Sequence, residues 1–287
     1  MATNFKATQL MNTTLIIQGG GFRTSFSAGV LDAFISHEYN PFNKYIAISG
    51  GAIGLSYFLS AQYKSYFEAM CHLADHPDFI QYRRLISEEG MMNIDLFEEI
   101  ANEKIPFNLP KAIRTLKNRK AYIVMTNRQT GKPHYHEPNK KNWLDAVIAS
   151  CTLPFVTKGA HKVEGVEYMD GGWSDSLPVK WAYENGSRNI LIIRTTPTNV
   201  KISQSWPDYF ATIYYRNEQQ LRDCFENNHI QYNESIDYIN NPPKDLQITQ
   251  IAPEVPLQTG TYSNSVDLIT LDYRHGVECG ISFLQNR

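Results

Sequence analysis

A serine and an aspartate of this chain each lie where a predicted strand ends, and each is followed by two glycines. Ser49 follows the apolar run 45–48 and precedes Gly50 and Gly51. A sharp turn of this kind raises a serine hydroxyl above a sheet, and bulky neighbours would clash there. The same serine could instead cap the following helix, because serine is a preferred N-cap residue. The local sequence leaves both interpretations open, a nucleophile elbow and a helix cap.

The aspartate supplies the base that a serine nucleophile needs to accept its proton. Asp170 ends the predicted strand that contains Tyr168 and Met169, and it precedes Gly171 and Gly172. Ser49 and Asp170 are therefore a candidate nucleophile and a candidate base.

A glycine-rich loop lies between the first predicted strand and helix, with the sequence Gly19-Gly20-Gly21-Phe22-Arg23. Glycines permit positive φ and let backbone N–H groups approach a ligand closely, and the following helix directs its positive end to the same point. The loop could hold a phosphate, stabilise an oxyanion or be a tight turn without a ligand. A Walker loop is excluded because no Gly-Lys-Ser/Thr follows, and a dinucleotide fingerprint would have glycine where Thr24 stands.

The elements that position these residues are predicted from apolar runs that alternate with helical patterns along the chain. This alternation predicts a mainly parallel sheet covered by helices on both faces. Strands are predicted at 13–18, 45–48, 121–126, 189–194 and 246–251. Helices are predicted after the glycine loop, with Phe26, Val30, Ala33 and Phe34 on one face, and at 52–63 and 142–150. The mixed segment 65–116 is predicted to be a helical insertion. Ligands of such sheets bind at the carboxyl ends of the strands, where the glycine loop and Ser49 would meet.

The glycine loop, the serine turn and the Asp-Gly-Gly motif, in this order, make the chain resemble the patatin-like lipid acyl hydrolases. The segment Ala149-Ser150-Cys151-Thr152-Leu153-Pro154 is similar to the Ala-Ser-x-x-x-Pro segment of that family, and 187–195 resembles its next strand. The resemblance covers most of 13–196. Two positions depart from the family pattern, since Thr24 replaces the last glycine of the loop and Ala47 replaces the first glycine of the elbow.

The resemblance implies a three-layer α/β/α fold in a single domain over 1–287, with 197–287 as its C-terminal completion. It also implies a catalytic dyad without histidine, in which Ser49 is the nucleophile and Asp170 the proton acceptor. The oxyanion hole would be formed by the loop residues Gly19, Gly20, Gly21, Phe22 and Arg23, with Arg23 supporting the loop. The implied activity is hydrolysis of phospholipid or lysophospholipid esters, with no cofactor or metal. The alternative is a catalytically degenerate member that binds lipid or an anion.

The composition argues against several other classes of protein. Hydrophobic residues make up 42% and charged residues 20%, and the net charge is −2 without a long run of one sign, which disfavours disorder and nucleic-acid binding. The four cysteines form no CxxC and indicate reduced thiols of an intracellular chain. No secretory signal is visible in 1–12. The uncharged stretch 45–63 is better explained by a strand, a turn and a helix than by a membrane span, because glycines disfavour a helix interior. A cytoplasmic protein is therefore expected, with peripheral membrane contact left open and no indication of its oligomeric state.

Two further patterns each allow an ordinary and a functional interpretation. His134, His136 and His161 could ligate zinc, but without a nearby Cys or an HExxH motif, ordinary surface histidines explain them better. A predicted helix after Ser205 carries an aromatic face formed by Tyr209, Phe210, Ile213 and Tyr214. Most such faces are packed in a core, and the alternative is an acyl-binding or bilayer-contacting surface.

Overall fold

The computed structural model describes residues 13–81, 83, 90–154, 156–262 and 265–286 and is built around one mixed eight-stranded sheet. The strands are β1 (Thr13–Ile17), β2 (Lys44–Ile48), β3 (Lys120–Asn127), β4 (Pro133–His136), β5 (His161–Val163), β6 (Val166–Asp170), β7 (Asn189–Ile193) and β8 (Gln247–Ile251). Their order is β5-β6-β3-β2-β1-β7-β8, and β4 also pairs with β3. The neighbouring strands β3, β2, β1, β7 and β8 are parallel to one another. The strands β4 and β6 pair antiparallel with β3, and β5 pairs antiparallel with β6. The mainly parallel sheet predicted from the sequence is confirmed.

The helices alternate with these strands along the chain. They are α1 (Ser25–Ser36), α2 (Gly50–Leu59), α3 (Ser65–Asp75), α4 (Asp95–Glu99), α5 (Leu109–Thr115), α6 (Trp143–Ser150), α7 (Val179–Glu184), α8 (Trp206–Tyr214), α9 (Gln219–Asn240) and α10 (Val266–Gln285). Short 3₁₀ turns cover Gly21–Thr24 and Gly171–Trp173, and a π-helical turn covers Ile100–Lys104.

Successive side chains of the central strands enter two different cores, as strand geometry requires. Leu15 and Ile17 of β1 pack in the core formed with α1, α2 and α10, whereas Ile16 packs in the core formed with α7 and α9. Helices therefore cover both faces of the sheet, and the predicted three-layer α/β/α fold is confirmed.

The predicted insertion contains α3, α4, the π-helical turn and α5. Its buried side chains, among them Met70 and Phe97, join the core on the α1 side of the sheet. All four cysteines are free thiols. Within the residues that the structure describes, no helix combines the length and the apolar character needed to cross a membrane.

Candidate active site

Ser49 occupies a sharp turn between β2 and α2, with φ 53° and ψ −132°. A side chain with a Cβ is strained at such a positive φ, and strain of this kind concentrates at functional sites. Ser49 stands at the N-cap position of α2, but its side chain makes no capping hydrogen bond. The helix-cap interpretation is therefore wrong for this hydroxyl, which is left to make other contacts.

The strained turn is held in place by Ser150, the last residue of α6. The Ser49 N–H donates to Ser150 Oγ at 2.8 Å, and that hydroxyl donates to the carbonyl oxygen of Val124 at 2.7 Å. Ser150 thus ties the elbow to β3. Sequence reasoning gave this residue no role, although the Ala-Ser-x-x-x-Pro segment contains it.

The strand register brings Asp170 to Ser49 although 120 residues separate them in the chain. Ile48 of β2 pairs with Val124 of β3, and Asp170 of β6 pairs with Met125 on the same strand. The strand β2 runs parallel to β3, and β6 runs antiparallel to β3 on its other side. The last residues of β2 and β6 therefore pair with adjacent residues of β3. The Ser49 hydroxyl lies close enough to the Asp170 carboxylate to lower the pKa of that carboxyl group.

The environment of Asp170 suits it to accept a proton near neutral pH. The residue is 4% exposed, and burial raises the pKa of its carboxyl group to about 7. The nearby Ser49 hydroxyl and a hydrogen bond from the Gly172 N–H, at 2.7 Å to Oδ1, partly oppose this rise. A carboxylate with a pKa near the working pH is what general base catalysis favours.

The glycine loop lies directly against the serine. A Cβ on Gly19 would lie 2.8 Å from the Cβ of Ser49, closer than carbon atoms approach, so only glycine fits there. Gly20 and Gly21 have φ values of 145° and 57°, which favour glycine. The Gly19 carbonyl accepts a hydrogen bond from Thr195 Oγ1 at 2.6 Å. The Gly20 carbonyl accepts from Nε of Arg23 at 3.3 Å.

The backbone amides of this loop differ in their availability. The Phe22 N–H donates to the Thr261 carbonyl at 3.3 Å, so it is already engaged. Within the described parts of the chain, the N–H groups of Gly20 and Gly21 meet no acceptor. Free amides beside a serine are suited to stabilise a negative oxygen.

These residues line a cavity of about 410 Å³, the size expected for a small-molecule site. The glycine loop, Ser49 and Asp170 form its floor. One wall is apolar and comes from the insertion, with Tyr66, Ala69, Met70, Leu73, Phe79, Met92, Ile94 and Phe97. The other wall is more polar and includes Thr196, Ser205, Asp208, Asn228, Tyr232 and Tyr262. The cavity can accommodate a chain of apolar atoms next to the serine.

The candidate zinc ligands lie elsewhere. The His134 ring stacks on Tyr168 with centroids 5.0 Å apart, and His161 Nε2 lies 3.0 Å from Asp145 Oδ1. Among the described residues, no group of three metal-ligating side chains occurs, and none of those lining the cavity is a histidine.

The aromatic face of α8 is exposed, so its interpretation as core packing is wrong. Trp206, which precedes the predicted stripe, is 74% exposed, and Tyr209, Phe210, Ile213 and Tyr214 are exposed as well. The opposite face of the helix buries Ala211, and Asp208 of its first turn lines the cavity. The exposed apolar surface therefore lies beside the cavity.

Comparison with known proteins identifies the family of this chain. The model of the patatin-like phospholipase family matches residues 15–183, which include the glycine loop, Ser49 and Asp170, and a domain of unknown function, DUF6363, matches residues 218–286. The uncharacterized protein YjjU of Escherichia coli strain K12 is 30% identical over 279 residues, which cover 94% of this chain and 76% of that protein. The structure of VipD from Legionella pneumophila aligns with 96% of this chain and 67% of its own, at 10% identity and a TM-score of 0.45. The family match spans more than half of the sequence, and the chain therefore belongs to the patatin-like phospholipase family.

Proposed function

We propose that the protein is a serine acyl hydrolase that cleaves lipid esters with the dyad Ser49 and Asp170. The observation that carries this proposal is the strained Ser49, whose hydroxyl lies next to a buried carboxylate and beside the glycine loop with its two unengaged amides. Nucleophile, base and oxyanion donors are the three parts that acyl transfer needs.

In the first step Ser49 Oγ attacks the ester carbonyl carbon, and its proton passes to the Asp170 carboxylate. The carbonyl oxygen becomes an oxyanion, which the N–H groups of Gly20 and Gly21 stabilise. The intermediate collapses, the C–O bond to the alcohol breaks, and Asp170 returns the proton to the leaving oxygen. Water then attacks the acyl-Ser49 carbonyl in the same way, and Asp170 first takes the proton of the water and then returns it to Ser49.

The substrate class we propose is phospholipid or lysophospholipid. Family membership and the apolar wall formed by the insertion support an acyl chain in the cavity. The more polar wall faces the remainder of the molecule. A protein that only binds lipid or an anion is the alternative, and it requires an inert Ser49.

Labelling with a fluorophosphonate probe tests the proposal directly, because the probe modifies only an activated serine. We expect modification at Ser49, loss of labelling and of p-nitrophenyl ester turnover in Ser49→Ala, and an unchanged thermal melt. Ser36→Ala is the matched control, because the Ser36 hydroxyl lies at the end of α1, where its partners are the Ala33 carbonyl at 2.9 Å and His37 Nδ1 at 3.1 Å. Folded wild-type protein that takes up no probe would favour the binding alternative.

We also propose that the aromatic face of α8 rests on the lipid surface from which the substrate is drawn. Tryptophan and tyrosine prefer the interface between water and lipid, and the spacing of residues 206, 209, 210, 213 and 214 places them on one side of the helix. Ser205, the N-cap of α8, lines the cavity. Docking of α8 on the lipid would therefore bring the opening of the cavity to the lipid.

Sedimentation with phosphatidylcholine vesicles tests this contact. The double variant Trp206→Ser and Phe210→Ser should lose most binding to vesicles and most turnover of vesicle lipid, while turnover of a soluble ester persists. Leu271→Ser, which removes an exposed apolar side chain from α10, is the control and should bind like the wild type. Equal binding of all three proteins would contradict the proposed contact.

A further inference from the structure

A segment of the C-terminal region returns to the glycine loop. This segment, residues 252–262, follows β8 and is called the strap below; it lies within the region matched by the domain of unknown function. The Thr261 carbonyl accepts the Phe22 N–H at 3.3 Å. A Cβ on Gly21 would collide with the same carbonyl oxygen, so the strap lies directly against the loop.

The strap is anchored by Asp272, a carboxylate of α10 that is 3% exposed. Its oxygens accept hydrogen bonds from the Gln258 N–H at 3.0 Å, the Thr259 N–H at 2.8 Å and Thr259 Oγ1 at 2.6 Å. Hydrogen bonds to a charged and buried acceptor are the strong ones. Three of them fix the strap two residues before the carbonyl that holds the loop.

The helix that carries Asp272 is itself fixed to α1, which continues directly from the loop. Tyr273 donates its hydroxyl proton to Asp32 Oδ2 of α1 at 2.8 Å, and His275 meets Phe26 of α1 edge-on, with ring centroids 5.3 Å apart. The strap, α10 and α1 therefore pack together, with the strap and α1 on either side of the glycine loop.

The same C-terminal region also contributes to the cavity. Tyr262, at the end of the strap, lines it, and burial together with the charge of Asp170 raises the pKa of its phenol to about 12. Asn228 and Tyr232 of α9 line it as well. The cavity is incomplete without residues from 218–286.

We propose that the C-terminal region of unknown function positions the oxyanion donors of this enzyme, with Asp272 as the positioning residue and the Thr261 carbonyl as the contact that orients the loop. This inference rests on the proposed function. The strap holds the Phe22 amide and so fixes the peptide planes that precede Phe22. The N–H groups of Gly20 and Gly21 therefore stay directed at the reacting carbonyl.

A loosened loop should impair the chemical step more than substrate binding. Removal of one oxyanion donor lowers kcat by about 10²–10³-fold, and Asp272→Asn misplaces the donors without removing them. We expect kcat to fall about 10–100-fold for a soluble p-nitrophenyl ester, with KM changed by less than about twofold. Asparagine presents an N–H₂ group to backbone N–H donors, so at least one of the three bonds is lost.

The experiment compares Asp272→Asn with Asp175→Asn in the full chain. Asp175 is partly buried and likewise accepts a hydroxyl, that of Tyr135, but its side-chain bonds reach neither the strap nor α10. It therefore controls for general loss of stability. Thr259→Val removes only the hydroxyl bond to Asp272 and serves as the milder variant if Asp272→Asn does not fold.

Hydrogen–deuterium exchange of the peptide that spans residues 18–26 provides a readout that does not depend on turnover. We expect faster exchange there in Asp272→Asn and Thr259→Val, together with lower kcat, and neither effect in Asp175→Asn. Faster exchange in the strap, together with unchanged exchange at the loop and an unchanged kcat, would overturn the inference. A wild-type protein without esterase activity would refute the proposed function instead, and the exchange measurement would still report whether the strap holds the loop.

Discussion

Replacing Asp170 with asparagine tests the proposed base through stability as well as activity. Burial raises the pKa of this carboxyl from 3.8 to about 7, so the folded protein holds an unfavourable charge at neutral pH. Each tenfold change in an acid dissociation constant corresponds to about 1.4 kcal/mol, and the charge therefore destabilises the fold by at most about 4 kcal/mol. Asparagine has the same shape, carries no charge and can still accept the Gly172 N–H.

The expected gain in stability is smaller than this limit and depends on pH. Burying the asparagine amide itself costs about 1–3 kcal/mol, so we expect a gain of about 1–3 kcal/mol at pH 8 and a rise in Tm of about 2–6 °C. A carboxyl whose pKa is raised on folding stabilises the wild type below about pH 3.8, and this contribution is lost as the pH rises to about 7. The advantage of Asp170→Asn should therefore be full above pH 7 and turn into a deficit of about 1–3 kcal/mol near pH 4, where only the cost of burying the amide remains.

Thermal melts between pH 4 and 8.5, beside p-nitrophenyl ester turnover, measure both effects. Wild-type activity should rise with pH and level off above about pH 7, as Asp170 loses its proton. Asp170→Asn should be nearly inactive at every pH. Asp175→Asn is the matched control: Asp175 is half-buried, burial raises its pKa to about 6, and the hydroxyl that donates to it is that of Tyr135. It should keep its activity. A stability difference between Asp170→Asn and wild type that does not change with pH, or activity within tenfold of wild type, would refute the reasoning.

Two single substitutions and a set of histidine variants probe the site further. Gly19→Ala should lower ester turnover at least about 100-fold in a folded protein, because its Cβ would displace Ser49; circular dichroism checks the fold, and near-normal turnover would contradict the close approach. Ser150→Ala should lower kcat about tenfold and reduce stability by about 1–2 kcal/mol in urea unfolding, since it removes both hydrogen bonds that tie the elbow to β3. Single histidine-to-glutamine variants should retain most of their turnover if Asp170 alone accepts the proton, and one folded but inactive variant would require a triad; the positions are His37, His72, His76, His134, His136, His161, His229 and His275.

The central strands could be predicted because they are continuous apolar runs bounded by turn residues. All five predicted strands are confirmed, with ends displaced by at most one residue. The strands β4 and β5 were not predicted, because they have only four and three residues and carry polar side chains that local patterns do not distinguish from loops. The helix predicted at 52–63 runs instead from Gly50 to Leu59, since the chain enters it directly from the elbow.

The periodicity of a helical segment did not predict which face of the helix is buried. The pattern in α8 correctly indicated an amphipathic helix, and its capping box between Ser205 and Asp208 marks the start. The prediction that the aromatic side faces a core failed because the side chain of Asp208 and the small residue Ala211 are buried instead. Which side of a helix meets the protein depends on neighbouring elements, which the local pattern does not contain.

The candidate site was visible as separate motifs, but the contacts that hold it together were not. Ser49 and Asp170 could be selected by their glycine neighbours, whereas their meeting depends on β3 lying between β2 and β6. The contact between the strap and the glycine loop uses the carbonyl oxygen of Thr261, an atom that every residue type carries, so no side-chain pattern indicates it.

The site combines two features that each oppose folding, the strained backbone of Ser49 and the buried carboxyl of Asp170. Such features persist only where surrounding contacts determine them strongly. Here Ser150 ties the elbow to β3, and the Asp170 carboxylate accepts the Gly172 N–H and lies near the Ser49 hydroxyl. The Phe22 amide of the glycine loop is held instead by the C-terminal strap. We therefore expect the C-terminal region beyond the patatin-like match to keep the proposed oxyanion donors in place.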